Sequence, residues 1–251
     1  MVWSITSSVN LFRSYLQNRT QYVDYNEQLS DTITLCSGVP QGSILGPLLF
    51  SIYINDLPSV LSSSYHLYAD DVQIYKSCKI NEIYECVQSL NNELVKISEW
   101  VKNNRLTLNV RKSQAIVIFK KNINTSLFPC IIFDGESISY QDKVKNLGVI
   151  FNKTLSWDDH LNSISSKVHF ILHGLHKYAY LTPERTRIKI VKSLILPYFL
   201  YVDIIVGCPN AVCSNKLNVI LNACTRYVCN IRRRDHVSPY SSVILGCTLV
   251  N

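Results

Sequence analysis

Two adjacent aspartates, Asp70 and Asp71, stand between two short β-prone runs, His66 to Ala69 and Val72 to Tyr75. This is a hairpin pattern with an acidic pair at its turn. Like charges that close repel, and they cost stability unless a cation or hydrogen bonds compensate. Carboxylate oxygens are the preferred ligands of Mg²⁺, which completes its shell with water and substrate phosphates. A hairpin tip presents such ligands rigidly at a sheet edge. Divalent-cation binding is the chemistry this pair could do, and a solvated Asp-Asp turn is the alternative.

The elements on either side would have to position that turn. Val9 to Tyr15 reads as an amphipathic helix, Thr20 to Tyr25 as a short strand, and Asp31 to Cys36 as a second strand. The turn-rich Ser37-Gly38-Val39-Pro40-Gln41-Gly42 follows. Leu45, Leu48, Leu49, Ile52 and Tyr53 then recur at helical spacing, with Pro47 tolerable in the first turn, and that helix ends near Asn55-Asp56-Leu57-Pro58. Beyond the acidic pair, Glu82 to Asn103 is a long amphipathic helix with Val87, Leu90, Leu94, Ile97 and Val101 on one stripe. Alternating segments follow at Leu106 to Leu108, Ala115 to Phe119, Ile131 to Phe133 and Val144 to Phe151, with Gly135 and Asn152 as turn markers. After Trp157 the chain reads as mainly helical to about Arg234, and Thr182-Pro183-Glu184 is a strong helix start. The expected fold is α+β, an antiparallel sheet with packed helices over 1–157 and a mainly helical region over 158–251. The boundary rests on the composition shift near Asp158.

Charge follows the same division. The net charge is +7, yet from Met1 to Tyr75 only Arg13 and Arg19 face six acidic residues. From His160 onward the balance reverses, with Arg226 and the triplet Arg232, Arg233, Arg234 among many cations. An acidic half followed by a basic half suits a metal site joined to a polyanion-binding surface; ordinary solvated helix faces would give a milder version of it. The nine cysteines are odd in number and mostly sit in apolar runs, which favours reduced thiols in an intracellular protein, nuclear or cytoplasmic, over a secreted disulfide framework. No signal peptide is visible, and the most apolar stretch, Ile188 to Val206, is too broken by Lys189, Lys192, Pro197 and Asp203 to span a bilayer. Cys208, Cys213, Cys224 and Cys229, with His236 beyond, invite a zinc reading. Their four-residue gaps are at the loose end of known spacings, and Cys224 and Cys229 fit an apolar helical pattern that needs no metal.

Ser37 to Phe50, then Tyr53-Ile54-Asn55-Asp56-Leu57, then Tyr68-Ala69-Asp70-Asp71 resembles the reverse transcriptases of non-LTR (LINE-type) retrotransposons. The resemblance continues in order. Trp100, Asn104-Arg105-Leu106, Leu108-Asn109 and Lys112-Ser113 look like the family's motif D. Lys145 to Ile150 with Leu155-Ser156-Trp157 look like motif E, the primer grip. Leu11 to Leu16 with Arg19 and Gln21 fits the segment before the Pro-Gln-Gly motif. The match runs to about Pro197, and several ordered motifs at suitable spacing are far more specific than any one alone. The same core occurs in group II intron maturases, but Leu155-Ser156-Trp157 leans to the non-LTR group.

The resemblance implies part of a right-hand polymerase palm (motifs B to E) followed by a helical thumb. It implies RNA-directed DNA polymerase activity, with Asp70 as principal metal ligand and Asp71 as supporting ligand for two Mg²⁺ ions, Mn²⁺ being a possible substitute. Gln41, Gly42 and Ala69 would border the nucleotide and template. Lys112, placed just after a strand, would contact phosphate or protonate the pyrophosphate leaving group. Leu147 and Gly148 would turn a hairpin against the primer, with a bulged buried strand as the alternative, and Arg226 with Arg232 to Arg234 would track the nucleic-acid backbone. The partners would be an RNA template, a DNA primer and deoxynucleoside triphosphates, with no membrane and no small-molecule cofactor.

The family also draws a carboxylate from motif A, upstream of the segment resembling Leu11 to Gln21, and neither it nor the fingers is present here. Asp24, Glu27 and Asp31 lie in the wrong context to replace it. The expectation is a truncated copy, a partial gene model or an exon, inactive or nearly so alone. A non-catalytic nucleic-acid-binding remnant or co-opted protein is the competing reading.

Overall fold

The computed structural model describes residues 5–119, 124–201, 211–232 and 234–240. The chain is α+β and packs as two units, Met1–Leu108 and Asn109–Asn251. Each described sheet is a two-stranded antiparallel pair.

In the first unit, α1 (Ile5–Leu16) leads into β1 (Arg19–Gln21), β2 (Asp24–Tyr25), β3 (Gln28–Leu29) and β4 (Ile33–Leu35). The single strand expected over Thr20 to Tyr25 is divided between β1 and β2. The physical reason is a nested turn: Asn26 and Glu27 both take positive φ (50° and 64°), reversing the chain so that β2 pairs with β3 while β1 pairs with β4. Next come α2 (Leu45–Tyr53), β5 (Ser64–Tyr68), β6 (Asp71–Tyr75) and α3 (Ile83–Asn103). Pro47 sits in the first turn of α2, where its missing N–H costs nothing. On α3 the expected apolar stripe is the buried one, with Cys86, Val87, Ile97, Trp100 and Val101 packed inward together with Ile54 and Leu57. The helix ends in a Schellman turn: Arg105 takes φ 53° and the Leu106 N–H donates to the Val101 carbonyl at 2.9 Å.

The second unit contains β7 (Ile131–Phe133), β8 (Glu136–Ile138), β9 (Lys143–Asn146), β10 (Val149–Asn152), α4 (Asp158–His176), α5 (Glu184–Ile190), α6 (Leu196–Leu200) and α7 (Ala211–Cys229). Asp134-Gly135 turns β7 into β8, both residues having positive φ. Leu106 to Leu108 is not a strand, because the Schellman turn leads directly to a 3-10 turn at Val110–Lys112. Ala115 to Phe119 makes one bridge, Ala115 with Tyr140, and no ladder, since its other backbone partner, Lys153, comes from a separate segment. Asn152 closes β10 instead of lying beyond it, and its buried side chain organises the turn that follows.

The main core is in this helical part. Ile164, Val168 and Leu172 of α4 meet Val191, Ile195 and Phe199 of the α5–α6 segment and Ile220, Cys224, Tyr227 and Val228 of α7. A π-helical turn, Val191–Ile195, joins α5 to α6 directly before Pro197, whose ring and missing N–H interrupt regular α-helical bonding. The apolar run from Ile188 is thus a partly buried helix interrupted by a π-helical turn as far as Tyr201; residues 202–206 lie outside the described set. Among the described residues no helix is long and apolar enough to cross a membrane.

Candidate functional site

β5 and β6 pair from Ser64↔Tyr75 to Tyr68↔Asp71, leaving Ala69 and Asp70 as a two-residue turn. The expected hairpin is present, with Ala69 in the turn and not in the first strand. Ala69 carries φ 50°, the sign that glycine usually supplies at the first position of such a turn, so an alanine here stores local strain. Cross-strand register puts Asp71 on the same face as Tyr68, His66, Gln73 and Tyr75, while Tyr65, Leu67, Val72 and Ile74 share the other. His66 stacks on Tyr75, with ring centroids 5.2 Å apart, and their polar atoms meet at 3.2 Å.

Asp70 and Asp71 are exposed, and neither side chain has a hydrogen bond or ion pair among the described residues. Two carboxylates without a partner among the described residues, adjacent at one turn, suit a hard divalent cation, whose remaining positions water and phosphate oxygens could fill. They do not complete a site: no cluster of three or more metal-ligating side chains occurs among the described residues.

The Pro-Gln-Gly loop lies in the same unit. Gly38 and Gly42 take φ 75° and 78°, and a Cβ at either would meet nothing within 4 Å. Their glycine requirement is therefore the backbone conformation, not a close approach within this chain. Arg19, which followed from no spacing argument, holds the loop: its guanidinium caps the α1 end at the Leu16 carbonyl (3.0 Å) and donates to the carbonyls of Ser37 (3.1 Å) and Gly38 (2.5 Å). Ser43 is bonded to the Tyr15 hydroxyl. Gln41 and Gly42 stay exposed on the turn between these anchors.

In the second unit Leu147 and Gly148 form the β9–β10 turn with φ 44° and 84°, a true hairpin in place of a bulge. Tyr201 covers it, donating its hydroxyl to the Leu147 carbonyl at 2.7 Å, and a Cβ on Gly148 would lie 3.5 Å from the Tyr201 ring. The base of this hairpin is tied to the start of α4. Asn152 donates to Asp159 (2.9 Å), Lys143 bonds the same carboxylate (2.5 Å), and the Ile150 N–H donates to His160 Nδ1 (3.3 Å). The Lys143 and Asn152 hydrogen bonds hold Asp159 below the usual carboxylate range; those of Lys216 and Ser156 do the same for Asp158. Lys112 is exposed on its 3-10 turn and does not follow a strand.

Residues 3–151 match the family described as Reverse transcriptase (RNA-dependent DNA polymerase). The chain belongs to this family. Among curated relatives, the RNA-directed DNA polymerase of mobile element jockey from Drosophila funebris is 27% identical over 84% of this chain and 24% of its own length. The probable RNA-directed DNA polymerase of transposon X-element from Drosophila melanogaster is 26% identical over 73% of this chain and 20% of its own length. That of transposon BS from the same fly is 29% identical over 62% of this chain and 18% of its own. The chain thus spans no more than about a quarter of the length of these relatives. Their names agree with the non-LTR resemblance carried by the motifs.

In this reverse transcriptase chain the basic residues divide by structural duty. Arg187 is buried and donates to the Ala179 carbonyl (3.0 Å), Lys216 bonds Asp158 (2.7 Å), and Lys167 lies over the Tyr198 ring. Arg226 is half-buried in the last turn of α7, with no partner for its Nε among the described residues. α7 stops at Asn230, which takes φ 52° while the Ile231 N–H returns to the Arg226 carbonyl, so the helix does not continue to Arg234. Arg232 and Arg234 are in the loop beyond; Arg233 lies outside the described residues. Arg226, Arg234 and His236 line an open cleft of ≈ 540 Å³ together with Asp235. Cys224 is fully buried in the helical core, where desolvation pushes its thiol up to about 12, and it packs as an apolar residue. Cys208 lies outside the described residues.

The residue that sequence reasoning passed over most completely is Glu93. It is 2% exposed on α3, where burial alone would raise its pKa. Hydrogen bonds from Ser63 and Ser62 outweigh that and hold it below the usual value. Its position beside an apolar stripe, with the three-serine run Ser62 to Ser64 leading into β5, was the available signal.

Proposed function

We propose that this chain supplies the metal-presenting hairpin, the nucleotide-facing loop and the primer-side hairpin of an RNA-directed DNA polymerase of retrotransposon origin. The observation that carries the reading is the Asp70-Asp71 turn, exposed, strained and without a compensating cation among the described residues, inside a segment matched to the reverse transcriptase family. Residues 1–157 would be the partial palm and 158–251 the thumb.

Asp70, on the turn itself, would be the principal ligand of a divalent cation, and Asp71, first residue of β6, the supporting one. The chemistry that two Mg²⁺ ions held there would supply is activation of the attacking primer hydroxyl and stabilisation of the leaving pyrophosphate. Gln41 and Gly42 would border the incoming nucleotide from the open Pro-Gln-Gly loop, with Ala69 beside the metals. Leu147 and Gly148 would support the primer backbone from a turn that Tyr201 keeps in place. Lys112 would meet phosphate oxygens, and Arg226, Arg232, Arg233 and Arg234 would follow the template–primer backbone with strong salt dependence.

Two carboxylates are an incomplete set for two ions, so the chain by itself would bind them weakly and misplace the reacting groups. Primer extension on poly(rA)/oligo(dT) with Mg²⁺ tests both parts. The chain alone should incorporate little. Residues 3–151 grafted into the jockey polymerase in place of the matched segment should support incorporation, and Asp70→Asn in that graft should reduce it on the order of 100-fold or more. Robust incorporation by the chain alone would overturn the incompleteness; incorporation indifferent to Asp70→Asn would overturn the assignment.

A further inference from the structure

Among the described residues the β5–β6 hairpin is a two-stranded sheet of its own. A two-stranded sheet is marginal in isolation. Its apolar face is only partly covered, Tyr65 and Val72 each remaining 38% exposed, and its turn carries the positive φ of Ala69. Yet both of its feet are fastened, and to adjacent turns of the same helix. Glu93 accepts four hydrogen bonds from the two residues that precede β5. Its Oε1 receives the hydroxyls of Ser62 (2.8 Å) and Ser63 (2.7 Å), and its Oε2 receives their backbone N–H groups (3.3 and 3.0 Å). β5 begins at the next residue, Ser64. At the other foot β6 ends at Tyr75, and Lys76 donates its ammonium to Ser89 Oγ at 2.6 Å. Ser89 and Glu93 are four apart on α3, hence on one face, one above the other.

We propose that Glu93 is the positioning residue of the Asp70-Asp71 hairpin, clamping its first strand to α3 while Ser89 clamps the second. Only a carboxylate suits the place. It offers about four acceptor positions and no donor, matching four donors. A glutamine there keeps the shape but turns an N–H₂ toward serine donors, and an aspartate is too short to reach. The clamp matters for function because the carboxylates sit at the far end of five-residue strands. A small tilt at the feet displaces them, and a shift of about 1 Å in a reacting constellation can cost on the order of 100-fold in rate. This consequence rests on the polymerase reading; the clamp itself does not.

The experiment uses the whole chain, with hydrogen exchange followed by mass spectrometry on peptides covering 62–76 and 83–103, and with Mn²⁺ affinity read from water proton relaxation. Glu93→Gln should speed exchange of the 64–75 amides by about ten-fold or more while the α3 peptides change far less, and it should weaken Mn²⁺ binding several-fold. Ser89→Ala and Lys76→Ala, made at more exposed positions, should loosen the 71–76 side alone. They keep the proposal testable where Glu93→Gln fails to fold. Unchanged hairpin exchange would overturn the clamp, as would equal acceleration of hairpin and α3, which is simple loss of stability. Unchanged Mn²⁺ affinity with a loosened hairpin would overturn its positioning role. Exchange is read without nucleotide or primer, so a failed primer-extension assay leaves the clamp standing and a failed exchange assay leaves the polymerase reading standing.

Discussion

Glu93 and the Asp70-Asp71 pair are opposite solutions to a carboxylate in a folded chain. Glu93 is buried and satisfied by neutral donors; Asp70 and Asp71 are exposed and satisfied by nothing among the described residues. The first arrangement predicts a pH dependence of stability. The folded-state pKa of Glu93 lies below its unfolded value, about 4.3 for a free glutamate, because four hydrogen bonds favour the anion over the desolvation that opposes it. Its contribution is therefore fully present above that unfolded value and is lost as the pH falls through the folded one. Urea denaturation of the chain at neutral pH and below pH 4 should show that loss, and Glu93→Gln should flatten this part of the profile. An identical pH profile for the two proteins would contradict it. None of this was legible in the sequence. The acidic pair announced itself by lying between β-prone runs, whereas Glu93 looked like one more polar position on an amphipathic helix. Its importance depends on a serine run thirty residues earlier, and that pairing exists only in the fold.

The elements that the sequence did reveal were those whose own periodicity or turn chemistry decides their state. α3 shows its stripe, α2 tolerates its early proline, and the β5–β6 hairpin is bracketed by its acidic turn. The elements misjudged were those decided by neighbours. Ala115 to Phe119 alternates like a strand but finds no continuous partner, and α7 stops at Asn230 although the composition remains helix-compatible to Arg234. The β9–β10 hairpin is an intermediate case, since Leu147-Gly148 allowed either a turn or a bulge and the two positive φ values decide for the turn. Gly148→Ala should destabilise the second unit by about 1 kcal/mol. The added Cβ would be held at φ 84° and 3.5 Å from the Tyr201 ring. Chemical denaturation checks this; an unchanged midpoint would mean that the turn relaxes to another form.

Across the whole chain, family membership rests on residues 3–151, and the metal-presenting turn is within them. Within the basic half read from the sequence, Arg187 and Lys216 serve packing and a salt bridge, while Lys177, Arg185, Lys189 and Lys192 are exposed, as are Arg232 and Arg234 beyond the end of α7. The Asp70-Asp71 turn is the proposed place where divalent metal is held. Mn²⁺ titrated into the isotopically labelled chain, with paramagnetic broadening of its amide signals followed, tests this placement most directly. Broadening should centre on residues 69–72 and disappear in the Asp70→Asn, Asp71→Asn double variant. Broadening centred elsewhere, or surviving that double substitution at 69–72, would contradict it.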